Sequence, residues 1–154
     1  MRAANAKGTA RLLAVQALYQ MDVGGTTLPE TLAQFEAFRM AGDPDAGAYR
    51  PVDQGYFRHL VSGVVSEQKK LDPAIHSSLP STWPLTRLDR LFRAILRVAT
   101  YELAHHADVP TPVVINEYLD VTRAFYDDTE VRLANGVLSA LASKLRRQTI
   151  KKTG

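Results

Sequence analysis

One stretch, residues 86–107, restricts the fold more than any other part of the chain. Its apolar side chains recur at steps of three and four residues, the spacing that places them on one face of an α-helix. These residues are Leu88, Leu91, Phe92, Ile95, Ala99 and Leu103. Leu96 and Val98 widen the apolar face, so such a helix needs cover on more than one side. The pattern predicts a central helix that begins at Thr86 with Asp89 as its capping partner.

A second flank of this helix is basic. It carries Arg90, Arg93, Arg97 and Tyr101 at steps of three and four residues. Charged flanks of helices usually face solvent or pair with carboxylates. We therefore expect Arg97 to pair with a carboxylate of a neighbouring helix rather than to bind a ligand.

The same periodicity predicts helices through most of the chain. They cover about residues 9–22, 28–40, 53–70, 72–79, 112–126 and 130–147. Asp72 and Pro73 are typical of a helix start, which is why the fourth helix is separated from the third. Gly63 and Gly136 fall inside predicted helices, where they would let another helix approach closely. No segment shows sustained alternation of apolar and polar residues, so we predict an all-α fold of about seven helices.

Turn-rich residues 41–51 and the linker 80–85 divide the predicted helices into two packed sub-bundles that share one core. A length of 154 residues suits one domain, which we place at 1–154 with basic flexible ends at about 1–8 and 147–154. The sequence contains no apolar run long enough for a membrane span and no signal-peptide core. The absence of cysteine removes disulfides and thiol nucleophiles, so we expect a cytoplasmic protein.

Positive charge is concentrated at the two ends of the chain. Segments 1–11 and 144–154 contain eight basic residues and no acidic residue, whereas the whole chain has a net charge of +3. The 132 residues between these segments therefore sum to −5. This distribution favours contact with phosphates, as in a nucleic-acid ligand, over a purely solubilising role.

Signals for catalysis are lacking. The sequence has no His-Glu-x-x-His, Walker or Gly-x-Gly-x-x-Gly motif. Glu102 and His105 have the spacing of half a di-iron site, but such a site needs two of these motifs and two further Glu residues. We expect no enzyme activity, no cofactor and no metal site.

Several sequence stretches together resemble the NusB family of bacterial transcription antitermination factors. They are 10–19 (ARLLAVQALY), 56–63 (YFRHLVSG), 95–103 (ILRVATYEL), 109–117 (VPTPVVINE) and 135–138 (NGVL). The resemblance implies two three-helix bundles and a protein without enzyme activity. It also implies binding to boxA RNA as a heterodimer with the small-subunit ribosomal protein that acts as NusE. Other Nus factors and RNA polymerase would be indirect partners, in support of ribosomal RNA synthesis.

By position, the resemblance assigns an RNA surface to the start of the chain and the start of the last helix. The predicted RNA-binding residues are Lys7, Arg11, Gln16, Tyr19, Phe125, Thr129 and Leu133. Lys7 and Arg11 can neutralise phosphates, and Tyr19 can stack on an unpaired base. Phe92 stands where relatives often carry an acidic residue towards the ribosomal protein, so we assign it to the partner surface.

Three alternatives stay open or are set aside at this point. A NusB-like protein-interaction module without an RNA role is the main alternative, and a homodimer also stays open. NusB-like domains occur in ribosomal-RNA cytosine methyltransferases as well. Those enzymes need a methyl-donor domain and a catalytic Cys, and this sequence has no Cys.

Overall fold

The described part of the chain consists of six α-helices, and it contains no strand. The computed structural model describes residues 5–39, 52–84 and 88–153, with side chains for 5–37, 52–84 and 88–146. The helices are α1 (Ala6–Gly24), α2 (Leu28–Gln34), α3 (Gln54–Ser78), α4 (Arg90–His105), α5 (Thr111–Phe125) and α6 (Asp128–Thr153). A π-helical turn, Phe35–Arg39, continues α2. The prediction of an all-helical fold is confirmed.

Helix α4 is central, as its apolar width predicted. It contacts α1, α3, α5 and α6. Ile95, Leu96 and Val98 are fully buried. The helix begins at Arg90 because the side chain of Asp89 accepts a hydrogen bond from the backbone N–H of Phe92 at 2.9 Å. Residues 88 and 89 are not helical and Asp89 is the N-cap itself, so the predicted start was too early; Thr86 lies outside the described residues.

The third and fourth predicted helices are a single helix, so that division was wrong. Helix α3 runs through Pro73, although proline removes one backbone hydrogen bond from a helix interior. Leu71 and Ile75, on either side of it, are buried against the core and hold the helix in place. Asp72 is not a cap. Its carboxylate accepts two hydrogen bonds from Arg97 at 2.8 and 2.9 Å, the helix-to-helix pair predicted for that arginine.

The first helix starts earlier than predicted. Asn5 caps α1, since its side-chain oxygen accepts a hydrogen bond from the N–H of Gly8 at 2.9 Å. At the other end, Gly25 adopts a φ of 70°, a left-handed cap that favours glycine. Residues 1–4 and the side chains of 147–154, which make up most of the predicted flexible ends, lie outside the described residues, as does the predicted loop at 41–51.

The two helical glycines have different surroundings. A Cβ atom at Gly63 would overlap the ring of Tyr101, so α3 and α4 approach each other closely there, as predicted. A Cβ atom at Gly136 would meet no described atom within 4 Å. The prediction that Gly136 lets another helix of this chain approach is therefore wrong. The helical interpretation of Asn135 and Gly136 is confirmed, since both lie within α6.

The helices pack in two sets of three, and within each set every helix contacts the other two. Helices α1, α3 and α4 form one set, and α4, α5 and α6 form the other. This packing places the end of α1 and the end of α5 beside the beginning of α4. Among the described residues, no helix is both long enough and apolar enough to cross a membrane.

Candidate nucleic-acid interface

A half-open pocket lies where the ends of α1 and α5 meet the beginning of α4. Its volume is about 430 Å³. The lining residues are Gln16, Tyr19, Gln20, Val23, Gly24, Phe35, Leu91 and Phe125. We call this pocket the aromatic groove. Three of the predicted RNA-binding residues, Gln16, Tyr19 and Phe125, lie in it together.

The two aromatic rings at the rim of the aromatic groove face solvent. Tyr19 and Phe125 are each 40% exposed and line the same pocket, so they form an exposed aromatic patch rather than isolated surface residues. Gln16 and Tyr19 are three residues apart on α1, so they share one face of that helix. Gln20 extends the same wall and donates a hydrogen bond to the side-chain carbonyl of Gln34 at 2.5 Å. The groove therefore offers ring surfaces beside amide groups.

Buried aromatic residues support the groove from below. Phe35 is only 2% exposed and stacks on Phe57 with ring centroids 5.7 Å apart. Near the start of α4, the hydroxyl of Tyr126 donates a hydrogen bond to Asp89 at 2.6 Å. Burial and the Asp89 carboxylate raise the pKa of Tyr126 above its ordinary value, so the hydroxyl keeps its proton. This contact fixes the end of α5, and hence Phe125, against α4.

The assignment of Phe92 to a partner surface is not supported by its position. Phe92 is 2% exposed and belongs to the hydrophobic core. Its ring meets that of Tyr126 edge to face, at 5.5 Å between centroids and 87° between planes. An apolar ring at this position packs inward because α5 covers the helix here. Phe92 therefore supports the fold, and its ring is not exposed at the surface.

Arg11 is also buried, contrary to the prediction that it neutralises phosphates. Its side chain is 3% exposed. Nε and Nη2 donate hydrogen bonds to the carboxylate of Glu102 at 2.9 and 2.7 Å, and Nη1 lies 3.6 Å from Glu117. Two carboxylates thus already balance this charge. Arg11 joins α1 to α4 and α5 rather than presenting its charge to solvent.

Glu102 is the centre of this buried network. It is fully buried and also accepts a hydrogen bond from the hydroxyl of Tyr118 at 2.7 Å. Burial alone would raise the pKa of Glu102, but the hydrogen bonds and charge of Arg11 outweigh it, and the pKa is lowered. Burial and the charge of Glu102 raise the pKa of Tyr118 well above 10.0. The network is therefore a charged pair with a neutral phenol donor.

The remaining predicted residues do not line the aromatic groove. Lys7 is exposed, and its ammonium lies 5.0 Å from the ring centroid of Tyr56. Thr129 is exposed at the second position of α6. Leu133 is half-buried and lines another pocket, of about 400 Å³, between the end of α3 and α6. The structure therefore brings three of the predicted RNA-binding residues into one groove, and the others lie elsewhere on the protein.

Glu102 and His105, which have the spacing of half a metal site, take separate partners. Glu102 pairs with Arg11, whereas His105 pairs with Glu67 of α3. Within the described ranges, no group of three or more His, Cys, Asp or Glu side chains is arranged to hold a metal ion.

Sequence reasoning missed two features of this region. The first is the Arg11–Glu102 pair, although a signal existed: Glu102 lies seven residues after Ile95, on the buried face of α4. The second is the contribution of Phe35 and Leu91 to the groove. Neither residue has a local pattern that separates a groove wall from ordinary core.

The fold is that of an all-helical protein of the NusB type, as solved structures show. A NusB structure from T. maritima gives a TM-score of 0.74 at 25% identity and covers 89% of this chain and 90% of that chain. A NusB structure from Aquifex aeolicus gives 0.68 at 26% identity, over 92% and 88%. A crystal structure of antitermination factors NusB and NusE in complex with dsRNA gives 0.73 at 25% identity, over 90% and 96%.

Sequence comparison leads to the same family. The profile of the NusB family matches residues 8–143. Transcription antitermination protein NusB of Brucella anthropi is 51% identical over 148 residues, which is 96% of this chain and 88% of the relative. The protein of the same name from Brucella ovis is 50% identical, over 96% and 86%. The chain belongs to the NusB family.

Proposed function

We propose that this protein is a transcription antitermination factor that binds boxA-type single-stranded RNA together with the small-subunit ribosomal protein acting as NusE. In this role it acts in the cytoplasm on the RNA polymerase elongation complex, with other Nus factors as indirect partners, and supports ribosomal RNA synthesis. The role is regulatory and not enzymatic, in agreement with a family of transcription factors. A related structure that contains NusB, NusE and RNA supports the choice of partners.

The aromatic groove is the observation that carries this proposal. Unpaired bases stack on aromatic side chains, and their edges accept and donate hydrogen bonds to amides. Tyr19 and Phe125 provide exposed rings, and Gln16 provides an amide in the same groove. Lys7, which is exposed on the same helix, can neutralise a phosphate further along the strand. Thr129 and Leu133 are proposed as outer contacts, beyond the groove.

We also propose that the helices act as one domain with two three-helix sub-bundles that share α4. The mutual contacts of α1, α3 and α4, and of α4, α5 and α6, support this organisation. The groove then lies at the junction of the two sub-bundles, where helices from both contribute to it. Its shape would depend on their relative position.

The test is a fluorescence titration of an end-labelled boxA oligoribonucleotide, with and without the ribosomal protein. The variants are Tyr19→Ala, Phe125→Ala, Tyr19→Phe, which keeps the ring, and Trp83→Ala, which removes an exposed ring elsewhere. Loss of one stacked base costs about 1–3 kcal/mol, so we expect either groove alanine variant to weaken binding about 5- to 150-fold. Tyr19→Phe and Trp83→Ala should stay within about twofold of the wild type.

The outcomes separate the two functions that the sequence left open. Weak binding by the protein alone, tightened by the ribosomal protein and reduced by both groove variants, supports the proposal. Capture of the ribosomal protein with no RNA affinity under either condition would support a protein-interaction module instead. Equal RNA affinity for the wild type and the groove variants would reject the groove as the site.

A further inference from the structure

A positive charge close to the aromatic groove would strengthen its binding of a nucleotide, and the predicted cations do not lie there. Arg11 is buried in its pair with Glu102. Lys7 precedes Tyr19 by twelve residues on α1, which is roughly 18 Å along a helix. A nucleotide whose base lies in the groove carries its phosphate only a few ångströms away. A cation close to the groove would therefore belong to another element.

Arg90 is adjacent in the chain to one groove residue and contacts the neighbour of another, where α1 ends and α4 begins. It is the first residue of α4 and is followed by Leu91, which lines the groove. Its Nη1 atom donates a hydrogen bond to the backbone carbonyl of Asp22 at 3.3 Å. Asp22 precedes Val23, another groove residue. The guanidinium thus lies between two elements that form the groove wall.

The contacts that Arg90 makes within the protein are weak. Its Nε atom is 3.9 Å from the Asp22 carboxylate, and the two side chains are 52% and 40% exposed. Ion pairs at such exposed positions contribute little to stability. A phosphate, in contrast, accepts two parallel charge-assisted hydrogen bonds from a guanidinium. Arg90 can therefore exchange its contact with Asp22 for a phosphate without a large loss of stability.

We infer that Arg90 binds the phosphate of the nucleotide whose base lies in the aromatic groove. This inference rests on the proposed RNA-binding function and adds a residue to it. In the free protein Asp22 contacts this guanidinium, so Asp22 competes with the phosphate when RNA binds. The strand would then pass from the groove towards the start of α4 in one direction and towards Lys7 in the other.

Two other arginines near this region differ in ways that make Arg90 the candidate. Arg97 is 12% exposed and already makes a bidentate pair with Asp72. Arg123 is 58% exposed and pairs with Asp120 on its own helix at 2.9 Å. Arg123 precedes Phe125 by two residues on α5, so the two side chains point to nearly opposite sides. Arg123→Gln is therefore a control that removes the same charge away from the groove.

The test is the titration of an end-labelled boxA oligoribonucleotide with the ribosomal protein present, repeated at several salt concentrations. We compare the wild type with Arg90→Gln, Arg123→Gln, Asp22→Asn and Tyr19→Ala. For Arg90→Gln we expect affinity to fall about three- to tenfold, and the slope of log K against log salt to become shallower by about 0.7. Arg123→Gln should change affinity by less than about twofold, and Asp22→Asn should tighten binding.

Three other results would overturn the inference, and each has a different cause. If Tyr19→Ala weakens binding but Arg90→Gln behaves like Arg123→Gln, the groove binds RNA without Arg90, and only this inference fails. If Arg90→Gln and Asp22→Asn both weaken binding with an unchanged salt slope, Arg90 acts by holding the end of α1. If the wild type does not bind the RNA at all, the proposed function fails together with this inference. Thermal melting of each variant shows whether the fold is retained.

Discussion

Replacing the buried carboxylate of Glu102 by an amide tests how the core is held together. The side chain of Glu102 is fully buried and accepts hydrogen bonds from Arg11 Nε at 2.9 Å, Arg11 Nη2 at 2.7 Å and the Tyr118 hydroxyl at 2.7 Å. Glu102→Gln keeps the size of the side chain and one acceptor oxygen but removes the charge. Arg11 then stays buried with Glu117 as its nearest carboxylate, at 3.6 Å.

The expected cost follows from this geometry. Removing one partner of a buried ion pair costs about 3–5 kcal/mol, because it leaves a buried charge without compensation. Glu117 is only 13% exposed and partly compensates Arg11, so we expect the lower end, about 3 kcal/mol. In a domain of this size, that corresponds to a fall in Tm of about 6–12 °C.

The assay is urea denaturation followed by far-ultraviolet circular dichroism. Glu36→Gln serves as the control, since Glu36 pairs with Arg58 at the surface, where the side chains are 31% and 55% exposed. We expect that control to cost less than about 1 kcal/mol. If Glu102→Gln costs no more than Glu36→Gln, the buried pair does not stabilise the fold more than a surface pair does.

A second replacement separates the charge from the shape. The triple variant Arg11→Met, Glu102→Leu, Tyr118→Phe removes the buried ion pair and its phenol donor at once, and Glu117 keeps its hydrogen bond from Asn5. Well-packed apolar replacements of buried ion pairs are often neutral or stabilising, so we expect it to be more stable than Glu102→Gln. A triple variant less stable than Glu102→Gln would show that the network is needed for packing and not only for charge balance.

The same network makes a prediction about acid. The pKa of Glu102 is lowered in the folded state from an ordinary value of 4.5, so the unfolded chain binds its proton first as the pH falls. The stability contributed by Glu102 is therefore complete above about pH 4.5 and is lost as the pH falls towards its folded pKa. Glu102→Gln should lose less stability than the wild type over this range, as measured by urea denaturation at a series of pH values.

Two further predictions concern helix packing and a histidine. Gly63→Ala forces the ring of Tyr101 to move and should lower the free energy of unfolding by about 1–3 kcal/mol. Gly136→Ala meets open space and should raise it by about 0.5–1 kcal/mol. Chemical denaturation measures both variants, and equal effects would contradict the close approach at Gly63. Burial and the neighbouring His59 lower the pKa of His106 from 6.5, so its contribution to stability falls as the pH drops below about 6.5. His106→Phe keeps a ring and removes the proton site, so its free energy of unfolding should change less than that of the wild type between about pH 7.5 and 5.5; an equal change would assign the effect to other groups.

Much of the helical architecture could be predicted because it depends on local patterns. The apolar repeat of residues 88–103 identified α4 and its central position, and both are observed. Errors arose where packing overrides a local signal. Pro73 normally begins or breaks a helix, yet α3 continues through it because Leu71 and Ile75 are buried on either side. The resemblance of short motifs to the NusB family also identified the family correctly.

The candidate site was predicted less completely. Gln16 and Tyr19 could be paired from the sequence because they share a face of one helix. Phe125 joins them in the groove only because α5 packs against the start of α4. Phe92 and Arg11 were assigned to surfaces by position, and the structure places both inside.

The sequence by itself determined the helices, the family and the positive charge of the two ends, because periodicity, motifs and composition are properties of neighbouring residues. Only the tertiary structure decided which side chains are available to a ligand. Arg11 is buried because Glu102, 91 residues away in the sequence, packs against it. No pattern of neighbouring residues can predict a contact at that separation. Tyr19 and Phe125 stay exposed because the helices that carry them end at the same edge of the molecule. Burial depends on contacts between segments that are remote in the chain, and it fixes which charges and rings can act.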